Sequence, residues 1–156
     1  MGHKILVAMD DSKNAMRAVE FVAKTSLPDH EITLFSVIPD TATICEMTSP
    51  ELVPTFLAHQ IEFCTMEDKK RELVEKAVQN AKEVLLKAGF DEKKISIKIV
   101  SRKKGIARDI IDEARNGYDT VVMGKRGLSG IKEFFLGSVS QKVLNGAKDV
   151  SVLLVN

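Results

Sequence analysis

Apolar residues along the chain fall into two rhythms. Ile5 to Met9, Ile32 to Ile38, Thr120 to Met123 and Val150 to Val155 are short, nearly continuous apolar runs. Runs of that length without alternation suit strands covered on both faces, as in a parallel sheet. Ile95 to Val100 instead alternates apolar with polar residues, which suits an edge strand.

Between these runs the spacing lengthens to three and four residues, the repeat of a helix buried along one stripe. Ala15, Ala18, Val19 and Val22 predict a helix capped by Ser12 and finished before Pro28. Leu73, Val74, Ala77, Ala81, Val84, Leu85 and Ala88 predict a long amphipathic helix, opened by a capping-box pattern at Thr65 and Asp68 and ended by Gly89. Ile106 to Asn116, stopped by Gly117, and Ser138 to Asn145, stopped by Gly146, complete the set. The stretch from Asp40 to Cys64 reads as an insertion, with Phe56, Leu57, Ile61 and Cys64 as a candidate apolar face after Pro54.

Five strands alternating with four helical connections imply right-handed crossovers and a doubly wound five-stranded parallel sheet with helices on both faces. In such α/β folds ligands sit beyond the carboxyl ends of the strands, where the winding reverses. The chemistry is therefore expected after the first and fourth strands.

Composition narrows the function classes. A chain of 156 residues, 44% of them hydrophobic, fits one domain spanning 1–156. Lysine plus arginine number 23 against 22 aspartate plus glutamate, so no net field draws the chain to nucleic acid or to an anionic membrane. No apolar stretch approaches the ~20 residues of a bilayer span, and the start carries no signal-peptide pattern, so a cytoplasmic protein is expected. Cys45 and Cys64 are then expected to be reduced thiols. With His59 they could be imagined as a metal site, but helix surface and a packed thiol explain them more simply.

The segment from Gly124 to Ser138 carries the candidate chemistry. Glycines stand directly after a strand and again at the start of a helix. Bare backbone admits close approach of a ligand, and unpaired N–H groups at a helix start attract an anion, so Gly137, Ser138 and Val139 can aim amides at phosphate. The spacing is neither the Walker A loop nor the Rossmann dinucleotide pattern. Asp10, closing the first strand, can accept ribose hydroxyls or share a magnesium ion with phosphate oxygens; it can equally satisfy the backbone amides of its own turn.

Gly124, Gly127, Gly137 and Ser138 match the fixed positions of the glycine motif in ATP-binding universal stress proteins, which the chain resembles from Val7-Ala8-Met9-Asp10-Asp11-Ser12 through Val152-Leu153-Leu154-Val155. The resemblance implies a Rossmann-like sheet of order 3-2-1-4-5 and ATP, with magnesium, as ligand. It places Ala8, Met9 and Asp10 beside the adenosine, Val37 against the adenine, and Gly127, Gly137, Ser138 and Val139 around the phosphates. Met123 and Gly124 end the fourth strand at that site, and Lys125 and Arg126 can reach phosphate or remain solvated. It also implies a homodimer through residues 150–155, a run with no lysine or proline to blunt an edge strand. Two departures stand out: Ile106 replaces a common proline, and Asp149-Val150-Ser151 replaces a common cysteine and proline.

Two other readings compete. A phospho-receiver domain would use Asp10 and Asp11, but the third strand leads into Ser101-Arg102-Lys103-Lys104 and offers no acceptor aspartate. A nucleotide-independent regulator would have no use for the glycine motif. No histidine or glutamate is placed at the loop as a base, so hydrolysis is expected to be slow or absent and no catalytic residue is assigned.

Overall fold

The structure, a computed structural model, describes residues 2–41, 45, 54–125 and 136–156. The elements are β1 (Lys4–Ala8), α1 (Lys13–Thr25), β2 (Glu31–Ile38), α2 (Pro54–Lys87), β3 (Ile95–Ser101), α3 (Ile106–Ala114), β4 (Thr120–Gly124), α4 (Ser138–Gly146) and β5 (Ser151–Val155). A single 3-10 turn at Glu92–Lys94 precedes β3.

The strands form a five-stranded parallel sheet of order β3-β2-β1-β4-β5. Side chains of β1 show why its run is apolar throughout. Ile5 and Val7 join Ile32 and Leu34 under α1 and α2, whereas Leu6 and Ala8 face the opposite layer with Phe35, Val121 and Met123. A period of two thus feeds two cores, and neither face can be polar.

On the first face α1 buries Ala15, Ala18, Val19 and Val22, the positions its spacing predicts. Ser12 accepts the N–H of Ala15 at 3.1 Å and starts the helix. Burial of Val19 and Val22 is worth about 1.5–3 kcal/mol each. Against them α2 lays Val74, Val78, Ala81 and Leu85. On the second face Ala107, Ile110 and Ala114 of α3 meet Val143 of α4.

Three expectations are corrected. Helix α2 starts at Pro54, not Thr65. No glycine or second proline interrupts residues 54–87, Pro54 stands where a missing N–H costs nothing, and the Thr65 hydroxyl donates back to the Ile61 carbonyl at 2.8 Å inside the helix. Gly146 does not stop α4 with a left-handed turn, as Gly89 (φ 96°) and Gly117 (φ 80°) do for α2 and α3. It lets α4 approach α3, because a Cβ there would lie 2.6 Å from Ile111 Cδ1.

The third correction concerns the thiols: Cys45 and Cys64 form a disulfide, with Cα atoms 5.9 Å apart. That separation lies within the ~4.4–6.8 Å a disulfide spans. The turn in which the Cys45 N–H donates to the Thr41 carbonyl at 2.9 Å is thereby tied to α2. With both cysteines in the bridge, and His59 Nδ1 at 2.7 Å from the Thr55 carbonyl, the imagined metal trio has no free ligand set.

Candidate functional site

The sheet order puts the reversal of winding between β1 and β4. Their following helices lie on opposite faces, so a crevice opens above their carboxyl ends. A cavity of about 310 Å³ occupies that crevice, within the ~300–1,000 Å³ typical of small-molecule sites.

From β1 the wall takes Ala8, Met9 and Asp10. Met9 is fixed on both sides: its N–H donates to the Phe35 carbonyl at 2.9 Å and its carbonyl accepts the buried Ser36 hydroxyl. Asp10 Oδ1 accepts the Ser12 N–H at 2.8 Å. The aspartate therefore does serve its own turn and is at the same time one of the residues of the cavity wall.

From β2 the wall takes Val37, Ile38 and Pro39. The ladder with β1 ends at the Ala8–Phe35 pair although β2 runs on to Ile38. Val37 is thus free of the β1 ladder on the edge that borders the crevice.

From β4 come Met123 and Gly124. At Gly124 the strand end presses on the start of α1: an added Cβ would stand 2.9 Å from the Asn14 carbonyl carbon and oxygen. The Gly124 carbonyl accepts the buried Ser140 hydroxyl at 2.9 Å, which ties the first turn of α4 to the sheet. The Lys125 N–H donates to Val155 at 2.7 Å and its carbonyl accepts the Gly137 N–H at 2.9 Å. Gly137 caps α4 without a side-chain bond, and its amide is spent on Lys125. The amides of Ser138, Val139 and Ser140, all three residues on the cavity wall, lack a helical carbonyl behind them. They make the anion-attracting end of the site.

Ala8, Met9, Asp10, Val37, Met123, Gly124, Gly137, Ser138 and Val139 therefore share one cavity. Lys125 stands beside it through its backbone bonds and is not part of the wall, while Arg126 and Gly127 lie outside the described residues. Lys70, Val74, Arg102, Ile106, Ile110 and Ser140 also line the cavity without having been singled out as ligand contacts. Arg102 could have been found, since it follows the carboxyl end of a strand. Lys70 sits mid-helix among other lysines and carries no such signal.

Electrostatics reinforce the β3 side. Burial pushes the Asp109 carboxyl up, but the amides of Lys103, Lys104 and Gly105 outweigh that and hold it below its ordinary value. Two of these bonds measure 2.8 Å and 3.0 Å. They fix the turn after β3, where the Arg102 N–H donates to the Ile38 carbonyl at 2.7 Å.

For a metal, the described residues hold no group of three or more His, Cys, Asp or Glu. Asp11 Oδ1 is buried without a partner among them. Asp11 is not on the cavity wall, so Asp10 is the one carboxylate of the described wall that an ion sharing phosphate oxygens and water could use.

Comparison with known proteins bears on the whole chain. The model of the universal stress protein family matches residues 1–156. Universal stress protein YxiE of Bacillus subtilis is 33% identical over 146 residues, covering 92% of each chain. Among solved structures, MJ0577 superposes with a TM-score of 0.71 at 27% identity, covering 99% of this chain and 96% of its own. A universal stress protein in complex with cAMP superposes at 0.61 with 19% identity, covering 99% of this chain and 96% of its own, a likeness of fold.

Proposed function

Because the chain belongs to the universal stress protein family, we propose that it is a regulatory protein that holds ATP with magnesium in this cavity and acts as a homodimer. One observation carries the reading. The first residues of α4, whose amides have no helical carbonyl behind them, line the same cavity as the apolar Val37, Ile38, Ile106 and Ile110. A polyanion joined to a flat heteroaromatic base needs both ends at once.

In this reading the adenine lies against Val37, whose backbone on the unpaired edge reads the base. The ribose sits by Met9 and Asp10. The phosphates meet Ser138, Val139 and Ser140, and Arg126 and Gly127, outside the described residues, are the further contacts that the glycine motif implies. Asp10 would hold magnesium jointly with the phosphates; the ion supplies charge neutralisation of the phosphate oxygens. No histidine lines the described wall, so we expect ATP to be retained with slow turnover.

Denaturing purified protein and identifying released nucleotide is the direct test, with calorimetry of ATP against GTP in magnesium. Released or titrated ATP with weaker GTP binding is expected. No nucleotide and no heat would refute the proposal.

The dimer rests on β5, an edge of the sheet whose Leu153 is 37% exposed. Two such edges, antiparallel across a two-fold axis, satisfy each other's free backbone groups without open-ended growth. Leu153→Lys is expected to give a monomer by light scattering; a wild-type monomer at micromolar concentration would overturn the assembly.

A further inference from the structure

Two cations on the cavity wall have no place in a site built for a 5′-phosphate chain alone. Arg102 follows β3 and is bonded through its N–H to the end of β2. Lys70 comes from α2, one turn before Val74, which packs over the β2 side and also lines the cavity. The anion-attracting amides belong to α4, tied to the end of β4. In the order β3-β2-β1-β4 the two ends are separated by two to three strand spacings, about 10–14 Å.

The two cations at the β2–β3 end stand outside the ion pairs of the described residues. Lys82, Lys98 and Lys104 pair with Glu92, Glu113 and Asp112. Among the described residues no ion pair is present for Lys70 or Arg102, and Asp10 is the only acidic one on the wall. Asp109 holds the turn after Arg102 with two backbone bonds, from the N–H groups of Lys103 and Lys104, and neither engages the guanidinium.

We propose that Lys70 and Arg102 form a second anion subsite, so that the cavity prefers an adenine nucleotide bearing a further phosphate on the ribose 2′ or 3′ hydroxyl. The subsite rests on the nucleotide reading of the cavity. With the 5′-phosphates at the α4 amides, the base toward Val37 and the ribose by Met9 and Asp10, the ribose 2′ or 3′ substituent must turn toward the β2–β3 end, where the two cations line the cavity. Arginine suits such a group because its planar fork meets two phosphate oxygens at once, and lysine adds a point charge.

The test is calorimetric titration of AMP, adenosine 2′,5′-bisphosphate and adenosine 3′,5′-bisphosphate into the full chain, its Lys70→Gln and Arg102→Gln variants, and a Lys82→Gln control. Both altered side chains are exposed, so the fold should survive, which circular dichroism checks. One bisphosphate is expected to bind at least tenfold tighter than AMP, and which one assigns the position. Either cavity variant should bring that ratio to within about threefold of unity, whereas the control keeps it. Equal affinity for all three nucleotides, or an unchanged ratio in both variants, overturns the subsite while leaving the nucleotide reading in place. Absence of binding by AMP, ATP and both bisphosphates overturns the two together.

Discussion

Replacing Cys64 with serine removes a crosslink whose partners are 19 residues apart. By the loop-closure model a crosslink of that size stabilises by about 3 kcal/mol. Where that free energy falls depends on what α2 buries. Its first buried residue is Val74, and Phe56, Leu57, Ile61, Phe63 and Met66 are all exposed. From Pro54 to Val74 the helix extends roughly 30 Å with little apolar burial to hold it, and an isolated helix of that length is marginal in water. The crosslink therefore stabilises docking of this half of α2, not the global fold. Hydrogen exchange in Cys64→Ser should show amide protection over residues 55–69 falling by up to about a hundredfold, since 1.4 kcal/mol is a factor of ten. Residues 74–87 should keep theirs. If the 3 kcal/mol belonged instead to global unfolding, Tm would drop by roughly 6–12 °C. Such a drop, or unchanged protection over 55–69, would refute this reasoning. A reducing compartment would impose the same change on the wild type, since cytosolic disulfides are commonly transient.

Other outcomes follow from the cavity and its supports. Gly124→Ala drives a Cβ to within 2.9 Å of Asn14 backbone atoms, so calorimetric unfolding should show a loss of about 1–3 kcal/mol; an unchanged Tm would mean that the start of α1 yields freely. Ser140→Ala leaves the buried Gly124 carbonyl without the hydroxyl it accepts from, and about 1 kcal/mol of stability should be lost together with ATP affinity, both measurable by titration and melting. The Asp109 carboxyl lies below its ordinary value, so the fold favours its anion. Its contribution is complete above the unfolded value of about 4 and is lost as pH falls through the lower folded value. Asp109→Asn turns an amide N–H₂ toward N–H donors and should cost about 1–3 kcal/mol at neutral pH. Denaturant melts should show that gap closing under acid, and a gap independent of pH would contradict the assignment.

Much of this architecture was legible because its signals are local and periodic. The continuous runs of β1, β2 and β4 mark strands covered on both faces, and the alternation in β3 marks an edge. Ser12 capped its helix as read. The sequence misplaces the start of α2 because Thr65 can bond to a carbonyl four residues back as readily as cap a helix, and composition does not distinguish the two. The disulfide was hidden for a different reason. Pairing depends on where the chain after β2 returns to α2, a tertiary fact that spacing does not encode. At the site, the glycine motif exposed the β4–α4 end, because backbone approach leaves a compositional trace. Arg102 left only its place after the carboxyl end of β3, and Lys70 left no trace, since a cation lining a cavity and a solvated one on a helix read alike.

That asymmetry has a physical basis in how the wall is held. Four of its supports are backbone bonds between elements: Met9 N–H to Phe35, Arg102 N–H to Ile38, Lys125 N–H to Val155 and Gly137 N–H to Lys125. Backbone bonds survive most side-chain substitutions, so the β1, β2, β4 and α4 sides of the cavity can persist while sequences diverge. Lys70 is held differently, on the part of α2 that precedes its first buried residue and follows the disulfide. Substitutions there disturb neither core nor ladder and cost little stability. The β2–β3 end of the cavity is consequently free to change its charge, whereas the α4 end, which would receive the phosphates, is fixed by the sheet. Ligand preference within this fold should then vary with the residues that α2 and the turn after β3 present, more than with the glycine loop.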